Sequence, residues 1–231
     1  IYDFIENAPI KVLNANTMKI ILSKIERIED FNLNKILPMI QTEMYDRDVA
    51  TQLLEKVNER SISTVFRSIP SEIKDIEMYE YAISKAKDIA YELPEEKIEG
   101  MNDDEYRKWC EDQIIGTLKG ETDQNYVMAK LPEHLITERI CTELIRKMPN
   151  NKKYMLSELF KKIPENYKSR TLYEELIKKS PELIEEIPEE TLEEGLTQEE
   201  YDKWAEEAIL KVVSESTELE RIIIHIPRIR Y

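Results

Sequence analysis

The sequence has little of several residue types that common functional sites require. Its 231 residues include only two cysteines, two histidines and four glycines. Two cysteines cannot build a disulfide-rich scaffold or a cysteine-rich zinc site, and four glycines leave little for phosphate-binding loops. No run of about 18 apolar residues occurs, so we expect no membrane span. We therefore predict a non-enzymatic protein without catalytic residues, cofactor or metal site.

Positive charge is also scarce relative to negative charge. There are 33 Lys and Arg residues against 48 Asp and Glu residues, a formal net charge of −15. Nucleic acids and anionic membranes are bound by clustered Lys and Arg, so we expect neither as a partner. The sequence does not determine the compartment, because the visible absence of a secretion signal is uninformative without the protein's own N-terminus. We favour the cytoplasm, with a secreted effector as the alternative.

What the sequence does contain is ten prolines, seven of which follow leucine or isoleucine. These seven are Pro38, Pro70, Pro94, Pro132, Pro164, Pro188 and Pro227. Successive gaps between them are 32, 24, 38, 32, 24 and 39 residues, so a 94-residue unit occurs twice. A fixed period of this kind is the sequence signature of repeat architectures.

The residues around the prolines repeat as well. Segment 66–70 matches 160–164, and segment 102–109 matches 197–204 with one inserted residue. Both tryptophans of the chain, Trp109 and Trp204, therefore occupy one repeated position. Their stripes of apolar neighbours predict core packing, with an aromatic anchor for a partner as the alternative.

Each repeated piece is patterned as short helices. In 171–188, apolar residues at helical spacing are interrupted by Ser180-Pro181, a pairing typical of an N-cap and first helical position. In the long unit the apolar face runs from Tyr201 to Val213, and Thr197 with Glu200 forms a predicted capping box, which Asn102 with Glu105 resembles in the earlier copy. Segment 222–224 is β-leaning, but its position predicts a buried helix.

A pair of short helices cannot bury its apolar face alone, whereas stacked pairs share a core. We therefore predict an all-α fold, a right-handed α-solenoid of about seven antiparallel helix pairs with a 94-residue super-repeat. Residues 1–231 would form a single array. Because the chain opens within a unit and lacks an initiator Met, we expect a piece of a longer protein.

The segments 171–175 and 187–190 resemble the tandem short helical repeats of uncharacterised bacterial, protist and viral proteins. In those repeats a Thr-Glu-Glu-type helix opening is followed by an apolar-Pro-Glu-Glu turn. The resemblance covers nearly the whole chain except the Trp-containing long units. It implies a repeat scaffold and no activity.

Acidic clusters are the candidate binding residues. We predict a protein-binding strip, attracting a basic partner, that consists of Glu189, Glu190, Glu193, Glu194, Glu199 and Glu200. The alternative is a solvated helix surface with carboxylates favoured by helix dipoles. Cys110 and Cys141 are predicted as buried free thiols, and His134 and His225 as surface or turn residues.

The function these patterns favour is a helical-repeat scaffold that mediates protein–protein interaction. Two other hypotheses stay open. The chain is an accessory domain of a larger enzyme or secreted effector, or it is an acidic inhibitor of a nucleic-acid-binding protein. The sequence does not predict an oligomeric state.

Overall fold

The computed structural model describes residues 14–118, 123–149, 153–188 and 197–215, and this part of the chain is helical without a β-strand. The all-α prediction is confirmed. The α-helices are α1 Ala15–Ser23, α2 Asp30–Ile36, α3 Arg47–Lys56, α4 Ile62–Ser68, α5 Ile76–Lys85, α6 Asp103–Thr117, α7 Gln124–Lys130, α8 Glu138–Lys147, α9 Lys153–Lys162, α10 Arg170–Lys179 and α11 Gln198–Glu215. Short 3-10 helices connect them, at Leu37–Met39, Thr42–Met44, Glu59–Ser61, Ser71–Ile73, Lys87–Tyr91, Glu133–Leu135, Glu165–Tyr167 and Pro181–Glu186.

Four of the α-helices begin with the same local device. A short 3-10 turn precedes each of these helices, and the residue just before the turn lies five positions before the capping residue of the helix. The capping residues are Asp46, Asp75, Thr137 and Ser169. The side chain of each accepts a hydrogen bond from the backbone N–H of the residue three positions later. Because the first N–H groups of a helix have no partner inside it, each cap satisfies one of them.

The apolar-proline pairs mark helix ends, as the sequence predicts, with one correction. Pro70, Pro132 and Pro164 each stand directly before a 3-10 turn. Pro38, predicted to be equivalent to Pro132, lies inside the 3-10 turn Leu37–Met39 instead. The turn that matches the one after Pro132 follows Gln41, so an extra turn is inserted in the first copy. Pro227 and segment 222–224 lie outside the described residues.

The second helix of the 171–188 pair is shorter and tighter than an α-helix. Ser180 is its N-cap residue and Pro181 its first residue, as predicted, but Pro181–Glu186 is a 3-10 helix. Its six residues still bury Leu183 and Ile184 against the core. Runs longer than three or four residues are uncommon for this geometry, because its hydrogen bonds are poorer than those of an α-helix, so this helix is long for its type.

The chain forms two compact units that divide within α6, between Gln113 and Ile114. In the N-terminal unit, α1 packs against α3, and α4 packs against both α3 and α5. Its core includes Leu53, Val65 and Ala82, none of which is exposed. Arg47 on α3 reaches α5, where its Nε donates to Asp75 Oδ2 at 2.5 Å and its Nη2 bonds Glu77.

In the C-terminal unit, helices two apart along the chain are in contact: α8 packs against α10, and α7 packs against α9. Polar bonds join the same pairs. Ser169 Oγ at the start of α10 donates to Glu138 on α8 at 2.5 Å, and Asn125 Nδ2 on α7 donates to the Met155 carbonyl at 3.0 Å. Among the described residues, no helix is both long and apolar enough to span a bilayer.

Replacing the α5 cap should be measurably destabilising. Asp75 Oδ1 accepts from the Met78 N–H at 2.9 Å, so Asp75→Ala should lower the free energy of unfolding by about 1 kcal/mol. Asp75→Asn keeps a capping oxygen and loses only the exposed ion pair to Arg47, so it should cost about 0.5 kcal/mol or less. Urea unfolding of both variants measures the difference. If both variants lowered the free energy of unfolding by the same amount, the capping hydrogen bond would contribute nothing beyond the ion pair.

Candidate functional site

The predicted acidic strip is only partly visible. Glu189, Glu190, Glu193 and Glu194 lie outside the described residues. Glu199 is exposed on the first turn of α11. Glu200 forms the capping box with Thr197, accepting from the Thr197 N–H at 3.0 Å while its own N–H donates to Thr197 Oγ1 at 3.3 Å. Glu200 therefore has a structural role.

The capping box with Thr197 also favours the ionised form of the Glu200 carboxylate. Hydrogen bonds from the backbone N–H and the hydroxyl of Thr197 lower the pKa of Glu200 below its ordinary value. The corresponding box at the start of α6 has the same form. Asn102 N–H donates to Glu105 Oε2 at 3.0 Å, and Glu105 N–H donates to Asn102 Oδ1 at 3.0 Å. Both boxes confirm the sequence-based prediction of where these long helices begin.

A chain of aromatic rings runs through the N-terminal unit. Phe66 packs edge-on against Tyr79 with ring centroids 4.9 Å apart, and Tyr79 packs against Trp109 at 6.2 Å. Tyr106 stacks on Trp109 at 5.9 Å, and its hydroxyl donates to the Pro94 carbonyl at 2.7 Å. The apolar-proline segment before the long helix is thus tied to that helix by a buried tyrosine.

The C-terminal unit contains the same arrangement at the repeated positions. Phe160 packs against Tyr173 with ring centroids 5.4 Å apart, and Tyr173 packs against Trp204 at 6.4 Å. Tyr201 packs against Trp204 at 5.3 Å, and its hydroxyl donates to the Pro188 carbonyl at 3.0 Å. The repeat seen in the sequence is therefore a repeat of specific contacts.

Each tryptophan is tied to a carboxylate on the preceding α-helix. Trp109 Nε1 donates to Glu80 at 3.0 Å, and Trp204 Nε1 donates to Glu174 at 2.8 Å. Both indole rings are half-buried, whereas the tyrosines beside them are buried. The prediction of core packing is therefore only partly right. One side of each ring packs on tyrosine, and part of each ring stays in contact with solvent.

A groove with a volume of about 640 Å³ opens beside Trp204, between α10 and α11. We call it the Trp204 groove. It is lined by Glu174, Glu175, Ile177, Lys178, Pro181, Trp204, Glu207, Ala208, Lys211 and Val212. This size lies within the range typical of ligand-binding clefts, and Trp is enriched at the energetic centres of protein interfaces. Ile177, Ala208 and Val212 supply an apolar floor, and all three are largely buried.

Charged side chains form the rim of the Trp204 groove. Glu174 bonds the Trp204 indole, and Glu175 pairs with Arg146 Nη2 at 3.2 Å. This Glu175 contact is the first cause of the raised pKa of Arg146. Glu207, Lys178 and Lys211 are exposed, and the described residues supply none of the three with an ion-pair partner. The rim therefore holds charges of both signs that a bound partner could neutralise.

The remaining candidate residues do not converge on a site. Cys110 and Cys141 are buried free thiols, as predicted, and burial raises the pKa of both. His134 is exposed in a 3-10 turn, as predicted, and His225 lies outside the described residues. Within the described ranges, no group of three or more His, Cys, Asp or Glu side chains could hold a metal ion.

Sequence reasoning found Trp204 but missed the residues that make its surroundings a groove. Ile177, Lys178 and Lys211 read as ordinary positions of two amphipathic helices. No protein-family model matches the sequence, and neither the curated proteins nor the solved structures yield a significant match.

Proposed function

We propose that this chain is a non-enzymatic helical-repeat scaffold that binds another protein through the Trp204 groove. The groove itself carries the proposal. It is open to solvent, has an apolar floor and is walled by a half-buried tryptophan. Such a concave surface, with an aromatic anchor surrounded by polar groups, is the usual centre of a protein interface.

The architecture we propose is a right-handed α-solenoid of about seven helix pairs. Supporting it, the aromatic chain and the tyrosine–proline bond recur in both units, and α7 packs with α9 as α8 packs with α10. Contacts between helices two positions apart are those expected when equivalent helices of successive pairs stack. In such an array the grooves between stacked helices serve as binding surfaces.

The test is affinity capture with quantitative mass spectrometry, comparing the wild-type chain with Trp204→Leu and Trp109→Leu. The two tryptophans make matching contacts to tyrosine and glutamate, so the two substitutions should be similarly destabilising. Only Trp204 belongs to the groove. We expect proteins that are retained by the wild type and by Trp109→Leu and lost with Trp204→Leu.

The scaffold proposal would be overturned if the set of captured proteins were the same with and without Trp204.

A series of salt concentrations distinguishes the scaffold proposal from the acidic-inhibitor hypothesis. Binding to an apolar floor should persist at about 0.5 M salt, where the screening length falls well below 10 Å. If basic proteins are captured only at low salt, and Trp204→Leu does not change their capture, the acidic-inhibitor hypothesis is favoured.

A further inference from the structure

We propose that the Trp204 groove selects a peptide segment with a cationic side chain at one end, apolar residues in the middle and a carboxylate at the other end, and that it holds this segment in one orientation. This inference rests on the proposed function and adds the chemistry of the partner. It follows from the order in which charges occur along both walls of the groove.

One end of the groove is defined by the bond between its two walls. Trp204 Nε1 on α11 donates to Glu174 Oε1 on α10 at 2.8 Å. From this contact the lining residues continue toward the C-terminal end of both helices, to Pro181 on one wall and Val212 on the other. The groove therefore has a tryptophan end and an opposite end, and the two helices follow it in the same chain direction.

Charge changes sign along this direction. Glu174 and Glu175 lie at the tryptophan end. One helical turn further, Lys178 stands on the first wall and Glu207 on the second, and Lys211 follows a turn beyond Glu207. From the tryptophan end to the opposite end, the charges along the groove are therefore first negative, then mixed, then positive.

A bound segment must complement this order. At the tryptophan end, an Arg or Lys side chain can lie over the exposed part of the indole ring and pair with the adjacent carboxylates, which combines a cation–π contact with an ion pair. Apolar side chains cover Ile177, Ala208 and Val212. A carboxylate meets Lys211. The chain's net charge of −15 speeds the approach of the cationic end.

The probe is a 12-residue alanine-based peptide with one Arg near one end, one Glu near the other and two Leu residues between them. A dansyl group is attached to either end in turn. The full chain carries Trp109→Phe, so that Trp204 is the only tryptophan. We expect both labelled peptides to bind and Trp204 emission to fall more when the label is at the arginine end. A peptide with Glu in place of Arg should bind about tenfold more weakly, because it loses both the cation–π contact and the ion pair.

Charge-swapped variants supply the controls. The double variant Glu174→Lys with Lys211→Glu keeps the net charge and should reverse which labelled end quenches Trp204. The matched control, Lys203→Glu with Glu206→Lys, exchanges exposed charges on the same helix outside the groove and should leave the pattern unchanged.

Equal quenching from both ends would overturn the proposed orientation. Absence of saturable binding would overturn the proposal outright, including the case in which residues 216–231 or a second copy of the chain covers the groove. The scaffold proposal fails separately, because it depends on capture of proteins through Trp204 and not on this peptide.

Discussion

Replacing Phe160 by alanine should lower the free energy of unfolding by about 3–5 kcal/mol, the usual cost of removing a large aromatic side chain from a core. Phe160 is 2% exposed, packs against Tyr173 and lies under Lys168, whose Nζ is 4.5 Å from the ring centroid. The cavity would remove the support on which Tyr173, and through it Trp204, rests. Urea unfolding followed by Trp204 emission in a Trp109→Phe background measures the loss.

Two comparisons make this prediction specific. Phe160→Leu keeps most of the apolar volume and should cost less than about 1.5 kcal/mol. Phe66→Ala removes the equivalent ring, which is also 2% exposed and has Lys74 Nζ 4.6 Å from its centroid. Phe66→Ala should lower the free energy of unfolding by a similar amount when unfolding is measured by Trp109 emission. A loss below about 1 kcal/mol for either alanine variant would contradict the packing described.

The same substitution tests the proposed array. In a stacked repeat, stability is approximately a sum over neighbouring pairs. Phe160→Ala should then lower the unfolding midpoint reported by Trp204 more than the midpoint reported by Trp109. Identical shifts at both tryptophans would indicate one cooperative unit and would contradict this local response.

Replacing Cys141 should make the free energy of unfolding fall less steeply as the pH rises into the alkaline range. Cys141 is buried on α8, and this burial raises the pKa of its thiol to about 12. Below the pKa of an unfolded thiol, about 8.5, both states hold the proton and the group adds no pH dependence. Above it, the unfolded chain releases the proton and the folded chain does not. The free energy of unfolding should therefore fall by about 1.4 kcal/mol per pH unit until about pH 12.

The measurement is urea unfolding from pH 8 to about pH 10.5 for the wild type and Cys141→Ala. Over this range the contribution of Cys141 should reach about 2–3 kcal/mol. Contributions of other groups, such as the buried tyrosines, are shared by both proteins and cancel in the difference. Thr142→Ala is the control, because Thr142 is buried on the same helix and does not ionise. Parallel pH curves for the wild type and Cys141→Ala would contradict the prediction.

The local structure of this protein could be predicted from sequence with some precision. The capping boxes at Asn102 and Thr197 and the Ser180-Pro181 helix start are all found where the residue patterns place them. These features depend on residues a few positions apart, so their geometry is decided locally. The equivalence of Pro38 with Pro132 failed because an inserted turn shifts the register without changing the 94-residue spacing.

The acidic strip stays a prediction, whereas the Trp204 groove was not predicted from the sequence. Glu200 carries the charge expected of a binding residue, yet its carboxylate caps its own helix. Trp204 shows the apolar spacing of a core residue, yet its ring is half-buried and its indole N–H bonds Glu174 on a neighbouring helix. Periodicity assigns a face to a side chain but does not say how closely the next helix covers that face.

The sequence by itself determined the helical class, the repeat and the positions at which the two long helices and the helix after Ser180 begin, because caps, prolines and apolar spacing act within a few residues of the chain. The tertiary structure alone decided which repeated side chains meet and where space remains between them. The aromatic chain from Phe160 to Trp204 joins residues 44 positions apart, and the groove depends on how α11 lies against α10. Such distances are set by the packing of whole helices, which no local pattern specifies.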